Sequence, residues 1–194
     1  MDSLRDDLQL IYGWIPEGSR VLDLGCGRGE LLSALVSGKQ CTGYGVEIDT
    51  EGVLASMRRG INVIQADLEQ GLQDFADASF DIIVLSQTIQ SMQNTETILR
   101  DLTRVAKQAI VSFPNFGYWR NRVQIALGGH MPVSERMPYQ WYNTPNIHWC
   151  TLHDFDTLCA KNHIRILERA VMTAGKRIGI LPNLLGSLAF YRVG

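Results

Sequence analysis

The 194-residue chain is poor in the residues that build disulfide frameworks and metal sites. Its four cysteines are Cys26, Cys41, Cys150 and Cys159. None of them forms a C-x-x-C pair, and none has a histidine nearby at the spacing of metal ligands. We therefore expect reduced thiols, no metal site and a cytoplasmic location.

Long apolar runs and a large excess of charge are also lacking. Apolar stretches are short, such as Ile82–Leu85, and the acidic N-terminus has no signal-peptide core, so we expect no membrane segment and no leader. The net charge of −2 disfavours general nucleic-acid binding. Together with a hydrophobic content of 45%, the length predicts one globular domain over residues 1–194.

Strand-like and helix-like segments alternate between residues 20 and 113. The predicted strands are Arg20–Gly25, Cys41–Asp49, Ile61–Asp67, Phe80–Gln87 and Gln108–Phe113. The predicted helices are Leu4–Ile15, Glu30–Ser37, Thr50–Gly60 with Thr50 as N-cap, and Thr95–Ala106. This alternation predicts a parallel sheet that is covered by helices on both faces.

The alternation stops at residues 114–150, which we interpret as an aromatic-rich insertion or cap. Eight of the sixteen aromatic rings of the chain lie between residues 113 and 149, interleaved with Arg120, Arg122 and Arg136. Such a segment can be a substrate lid, a docking surface or a small satellite core. A helix at Thr151–Asn162 and two closing strands follow, and the closing strands have a connection short enough for antiparallel pairing.

The stretch VLDLGCGRGEL (Val21–Leu31) carries the strongest chemical signal, a strand that enters a glycine-rich turn and then a helix. Glycines in such a turn let the backbone approach a ligand closely at the helix N-terminus. A dinucleotide fingerprint requires a third glycine where this chain has Glu30. Asp23, just before the turn, would repel a pyrophosphate and attract a cation, which favours S-adenosylmethionine over NAD.

Acidic and polar residues follow three further strands of the predicted sheet. Glu47 lies 22 positions after Gly25, near the spacing at which an acid binds ribose hydroxyls. Asp67 ends the third strand, where it can accept from an adenine amino group, and Ser86 and Gln87 border the same crevice. Each acid taken alone could instead be a helix cap or a solvated loop end.

The ordered set VLDLGCGRGEL, GVEID, ADLE and FDIIVLSQ resembles the class I S-adenosylmethionine-dependent methyltransferases. Residues Ser112–Phe155, together with LSQTIQ, resemble the MetW family of methionine biosynthesis proteins, which extends the resemblance over almost the whole chain. The resemblance implies a three-layer, Rossmann-like α/β fold. Its sheet is expected to be mostly parallel and seven-stranded, with an antiparallel last strand.

The resemblance also implies functional residues. Gly25, Gly27 and Gly29 are expected beside the methionine half of S-adenosylmethionine or S-adenosylhomocysteine, Glu47 at the ribose and Asp67 at the adenine. The complete predicted cofactor set is Asp23, Gly25, Cys26, Gly27, Gly29, Glu47, Ile48, Asp67, Leu68, Ser86 and Gln87.

Two functions are compatible with these residues. The MetW resemblance implies an accessory or regulatory protein of methionine biosynthesis with a homoserine O-acyltransferase as partner. The alternative is an active methyltransferase on an unidentified small molecule. The four histidines, His130, His148, His153 and His163, give no clear general base, so the catalytic residues and the enzymatic status are left unassigned.

Overall fold

The computed structural model describes residues 4–70 and 72–194. The strands are β1 (Arg20–Leu24), β2 (Thr42–Glu47), β3 (Val63–Gln65), β4 (Phe80–Ser86), β5 (Ala106–Pro114), β6 (Ile166–Thr173), β7 (Lys176–Arg177) and β8 (Leu188–Val193). The helices are α1 (Asp6–Trp14), α2 (Glu30–Lys39), α3 (Thr50–Arg58), α4 (Thr95–Val105), α5 (Trp119–Gly128), α6 (Leu152–Lys161) and α7 (Pro182–Leu185). Short 3-10 turns at Leu68–Gln70 and Ile89–Ser91 follow β3 and β4.

In the described residues the strands form one sheet in the order β3-β2-β1-β4-β5-β8-β6-β7. Strands β1 to β5 pair in parallel, and the last strand, β8, is antiparallel to both β5 and β6. The predicted Rossmann-like fold with its antiparallel last strand is confirmed. The sheet has eight strands rather than the predicted seven, because the two-residue β7 folds back onto β6 through Ala174 and Gly175, both at positive φ.

Both faces of the central strands are buried, which explains their nearly continuous apolar sequence. Val21 of β1 and Ile82 of β4 point into one core, against α1 and α2. Leu22 and Ile83, their neighbours in sequence, point into the opposite core, against α4 and α6. The parallel sheet therefore lies between two layers of helices, and its carboxyl edge is free to carry a site.

Helices α3 and α6 each begin at a residue whose side chain caps the helix N-terminus. Asp49, not the predicted Thr50, is the N-cap of α3, and its side chain accepts from the Gly52 N–H at 2.9 Å. Asp and Thr are both favourable N-cap residues, but it is the Asp49 carboxylate that lies within hydrogen-bond distance of the free N–H of Gly52. Thr151 and Asp154 form a reciprocal capping box at the start of α6.

No helix in the described part of the chain is both long enough and apolar enough to span a membrane.

Phe113 of β5 contacts two further aromatic rings in a cluster that joins β5 and β8 to α6. Its ring is fully buried, 4.9 Å from the Phe155 ring and 5.7 Å from the Tyr191 ring between centroids. We expect Phe113→Ala to lower the free energy of unfolding by about 3–5 kcal/mol, because it removes these contacts and leaves a cavity. Urea denaturation measures the change. The control Met57→Ala, on an exposed part of α3, should change it by less than about 0.5 kcal/mol; equal losses would contradict the assignment.

Candidate functional site

The glycine turn after β1 has an alternating left-handed backbone. Gly25, Gly27 and Gly29 have φ values of 71°, 56° and 71°, which L-residues rarely adopt. A Cβ on Gly25 would lie 2.6 Å from Thr88 Oγ1, and one on Gly29 would lie 2.8 Å from Ser56 Oγ. A Cβ on Gly27 would meet nothing within 4 Å. Gly25 and Gly29 therefore allow close packing, whereas Gly27 faces open space.

Glu47, at the end of β2, stabilises this turn by accepting hydrogen bonds from backbone N–H groups. Its Oε2 accepts from the Gly27 N–H at 2.7 Å, and its Oε1 accepts from the N–H groups of Ile48 and Asp49, each at 2.9 Å. A carboxylate offers about four acceptor positions. Three are in use, so Glu47 retains one position, on Oε2, for a ligand hydroxyl while it also fixes the shape of the loop.

Two cavities lie on either side of the turn and share Gly27 and Arg28. The first, of about 230 Å³, is lined by Asp23, by the turn and by residues of α1 and α2. The second, of about 540 Å³, is lined by Glu47 and by the first turns of α3. An elongated ligand that crosses Gly27 would occupy both cavities. The methionine half of the predicted cofactor would then lie in the first cavity and its ribose in the second, beside Glu47.

Asp23 gives the first cavity its electrostatic character. Its side chain is 4% exposed, and none of the described residues donates a hydrogen bond to its carboxylate. Burial, followed by the charge of Glu47, raises the pKa of Asp23 to about 7. A cationic ligand would favour the ionised form, so the sulfonium and ammonium groups of S-adenosylmethionine fit this cavity.

Cys26 lies in the same turn but is not an activated thiol. Burial, followed by the charge of Asp23, raises the pKa of its thiol to about 12. The thiolate, which is the nucleophilic form, is therefore scarce at neutral pH. Cys26 can line the cavity, but it does not supply a nucleophile.

Helix α1 contributes residues that were not predicted for the site. Arg5 and Leu8 line the first cavity. The buried carboxylate of Asp7 accepts from Gln87 Nε2 at 2.7 Å and lies 3.4 Å from Arg5 Nε. The helical spacing of the sequence predicts α1 but not its position over the crevice, which depends on packing against residues far along the chain.

The residues at the end of β4 lie at the crevice and are fixed by hydrogen bonds to β5. Ser86 lines the first cavity, and its hydroxyl lies 3.1 Å from Ser112 Oγ on β5. Gln87 follows with φ at 51°, a strained value for a residue other than glycine, and its N–H donates to the Ser112 carbonyl. Strain of this kind clusters at functional sites.

The structure brings together one group of the predicted residues and leaves another outside the cavity linings. The first group is Asp23, Gly25, Cys26, Gly27, Glu47 and Ser86. Gly29, Ile48, Asp67, Leu68 and Gln87 are near the strand ends but line neither cavity. Asp67 Oδ1 accepts from the Glu69 N–H at 2.9 Å, and the exposed side chain of Ile48 projects from the end of β2. The role of Asp67 at the adenine and the place of Ile48 in the cofactor set stay predictions.

Neither a general base nor a metal site emerges from the described residues. The first cavity has no histidine among its described lining residues, and His148 lies in a different cavity, of about 740 Å³, between α4 and α6. Within residues 4–70 and 72–194, no group of three or more His, Cys, Asp or Glu side chains could hold a metal ion. The crevice is thus equipped for binding, and its described residues give no assignment of a catalytic base.

Comparison with known proteins identifies relatives along nearly the full chain. A family model described as methionine biosynthesis protein MetW matches residues 5–193. A curated relative from Rhodopirellula baltica, the bifunctional methionine biosynthesis protein MetXA/MetW, is 37% identical over 187 residues. This match covers 91% of the chain and 30% of the relative, so the chain spans less than a third of that protein's length.

Solved structures share the fold. A methyltransferase from Thermotoga maritima, described as S-adenosylmethionine-dependent and a possible histamine N-methyltransferase, has a TM-score of 0.69 at 20% identity, covering 97% of this chain and 86% of its own. An S-adenosylmethionine-dependent methyltransferase from Mesorhizobium loti has a TM-score of 0.72 at 15% identity, covering 97% of each chain. Identities this low establish the fold alone.

The buried carboxylate of Asp23 predicts pH-dependent cofactor binding. Below a pH of about 7 the group takes up a proton and loses its attraction for the sulfonium, so S-adenosylmethionine affinity should fall by up to about tenfold per pH unit. Calorimetry between about pH 5.5 and 8 measures this slope. Asp23→Asn should bind S-adenosylmethionine weakly, and its affinity should change less with pH. Any pH dependence that comes from titration of the ligand itself is the same in both proteins and cancels in the comparison. Parallel slopes would contradict the role of Asp23.

Glu47 should contribute to both the loop and the ligand. Glu47→Ala removes the acceptor of three N–H groups and the predicted ribose contact, so we expect a lower melting temperature and a loss of S-adenosylmethionine affinity of about tenfold or more. Glu51→Ala, in the lining of the same cavity, is the matched control and should retain both properties. Calorimetry and thermal melts check the pair; similar losses in both variants would refute the specific role.

Proposed function

Because the chain belongs to the MetW family of methionine biosynthesis proteins, we propose that it binds S-adenosylmethionine or S-adenosylhomocysteine and acts on a homoserine O-acyltransferase in the cytoplasm. The observation that carries the cofactor part is the buried Asp23 carboxylate, which lies without a described hydrogen-bond donor beside an open glycine turn. Such a group is stabilised by a cationic ligand and not by a phosphate.

The first cavity also suits the amino-acid end of the cofactor. Asp23 supplies a negative charge for the ammonium and sulfonium groups, and the guanidinium groups of Arg5 and Arg28 line the same cavity. An arginine can bind the methionyl carboxylate through paired hydrogen bonds. This arrangement predicts selectivity for ligands that retain the complete amino-acid group over those that lack it.

The fused relative supports an acyltransferase partner. The name of the Rhodopirellula baltica protein joins MetXA to MetW, and the part that matches this chain is 30% of it. Fusion holds two domains at a high effective concentration, which benefits domains that act together. We infer that this chain makes the same association with an acyltransferase.

Regulation follows if the two binding events are coupled. S-adenosylmethionine is made from methionine, so its concentration reports the output of the pathway in which this family takes part. If the partner binds the cofactor-bound and the cofactor-free protein with different affinities, the cofactor changes the affinity of the protein for the partner. The partner then changes the affinity for the cofactor by the same factor, as thermodynamic linkage requires. The protein would then transmit methionine status to the acyltransferase.

The proposal predicts that the acyltransferase encoded in the same genome forms a complex with this chain and changes its rate of acyl transfer to homoserine. Acyl transfer is measured with and without the chain over a series of S-adenosylmethionine concentrations. Asp23→Asn should retain the complex while losing its response to the cofactor.

Each alternative gives a distinct result in this experiment. Absence of both a complex and a rate change would refute the accessory role. Binding of NAD without binding of S-adenosylmethionine, measured by calorimetry, would refute the cofactor assignment. Formation of S-adenosylhomocysteine on addition of small-molecule acceptors would instead identify an active methyltransferase.

A further inference from the structure

We propose that α5 and residues 129–147 form the docking surface for the acyltransferase, an inference that rests on the proposed function. We call this surface the α5 face. Its exposed apolar residues include Trp119, Val123, Leu127, Met131, Trp141 and Tyr142. No residue of the α5 face lines either of the two cavities beside the glycine turn.

The helix of the α5 face has almost no cover in the described chain. Of its ten residues only Asn121 is buried, and Leu127 is 85% exposed. Trp141 and Tyr142, packed edge to face with ring centroids 5.7 Å apart, are 72% and 71% exposed. An isolated helix of about ten residues is marginal in water, and exposed clusters of large apolar side chains mark interaction sites.

Polar contacts at its base hold the helix in place. Asn115 donates to the carbonyls of Asn183 and Gly186 at 3.0 and 2.8 Å, and Asn121 donates to the carbonyl of Asn115 at 3.3 Å. These bonds fix the end of β5, the start of α5 and the loop before β8 to one another. The apolar side chains are therefore presented on an ordered support, which lowers the entropic cost of binding.

A second pair of bonds fixes the loop that follows α5. Gln124 donates to the Val133 carbonyl at 3.3 Å and accepts from the Val133 N–H at 3.1 Å. These bonds hold Val133 of the loop beside Gln124 of α5. The loop is therefore fixed to the helix, and Met131 within it is exposed.

The positive charge of the α5 face indicates which kind of partner can bind there. Residues 119–147 contain Arg120, Arg122 and Arg136 against the single acid Glu135, whereas the whole chain has a net charge of −2. Two copies of the face would bring like charges together, which disfavours a homodimer through this surface. The acyltransferase surface that this proposal requires is apolar and rimmed by acidic residues. Arginine beside large aromatic rings is typical of binding hot spots.

The test uses two substitutions on the α5 face and one matched control. Leu127→Glu and Trp141→Glu place a negative charge on exposed apolar positions, and Met57→Glu does the same on the exposed face of α3. We expect each α5-face variant to weaken the complex with the acyltransferase by at least about tenfold, with Met57→Glu unchanged. Sedimentation and calorimetry measure the affinity, and S-adenosylmethionine binding and melting temperature verify that the variants are folded.

The outcomes separate this inference from the proposed function. If the unmodified chain forms no complex with the acyltransferase, the proposed function fails and the docking surface fails with it. If the complex forms but both α5-face variants bind as tightly as the unmodified chain, only the docking surface is refuted. Dissociation of a homodimer by these variants, with the acyltransferase complex intact, would likewise refute it and assign the face to a second copy.

Discussion

The burial of one carboxylate at the end of the central strand is the constraint on which the rest of the site depends. Asp23 follows the fully buried Leu22 on β1, is itself 4% exposed, and borders only the first of the two cavities beside the turn. Burial makes its ionised form costly, and the nearby charge of Glu47 increases this cost. The glycine turn, Arg5 and Arg28 line the same cavity as this carboxylate. In the proposed function the positive charge of the cofactor offsets the cost of ionising Asp23.

A series of hydrogen bonds runs from α1, beside this crevice, to Ile147, the last residue of the α5 face. Asp7 of α1 accepts from the side chain of Gln87, and the carbonyl of Gln87 accepts from Gln90 Nε2 at 2.6 Å. The carbonyl of Gln90 in turn accepts from the N–H groups of Ile147 and His148 at 2.8 and 2.9 Å. If the proposed regulation operates, these bonds join the two regions that it has to couple.

The sequence predicts the sheet well, because the sheet depends on local patterns. Local patterns also single out residues that the structure places around the glycine turn. The apolar strand at Val21–Leu24 and the glycine spacing that follows specify the turn, and Glu47 is found by its distance from it. The contribution of Asp7 and Arg5 could not be predicted, because it depends on where α1 packs, 80 positions away in sequence from its partner Gln87. Strand β7 was missed because two residues carry no periodicity.

The aromatic segment after β5 shows why a shared fold does not settle function. Methyltransferase structures with 15–20% identity match nearly the whole chain, so the fold is shared with them. A cofactor crevice needs buried, precisely held groups, and residues 20–87 supply them. The α5 face has the opposite character: large rings and an almost uncovered helix on an ordered polar base. A lid should bury its rings against the ligand site, whereas Leu127, Trp141 and Tyr142 are exposed and line neither cavity beside the turn, which favours a protein partner as their cover.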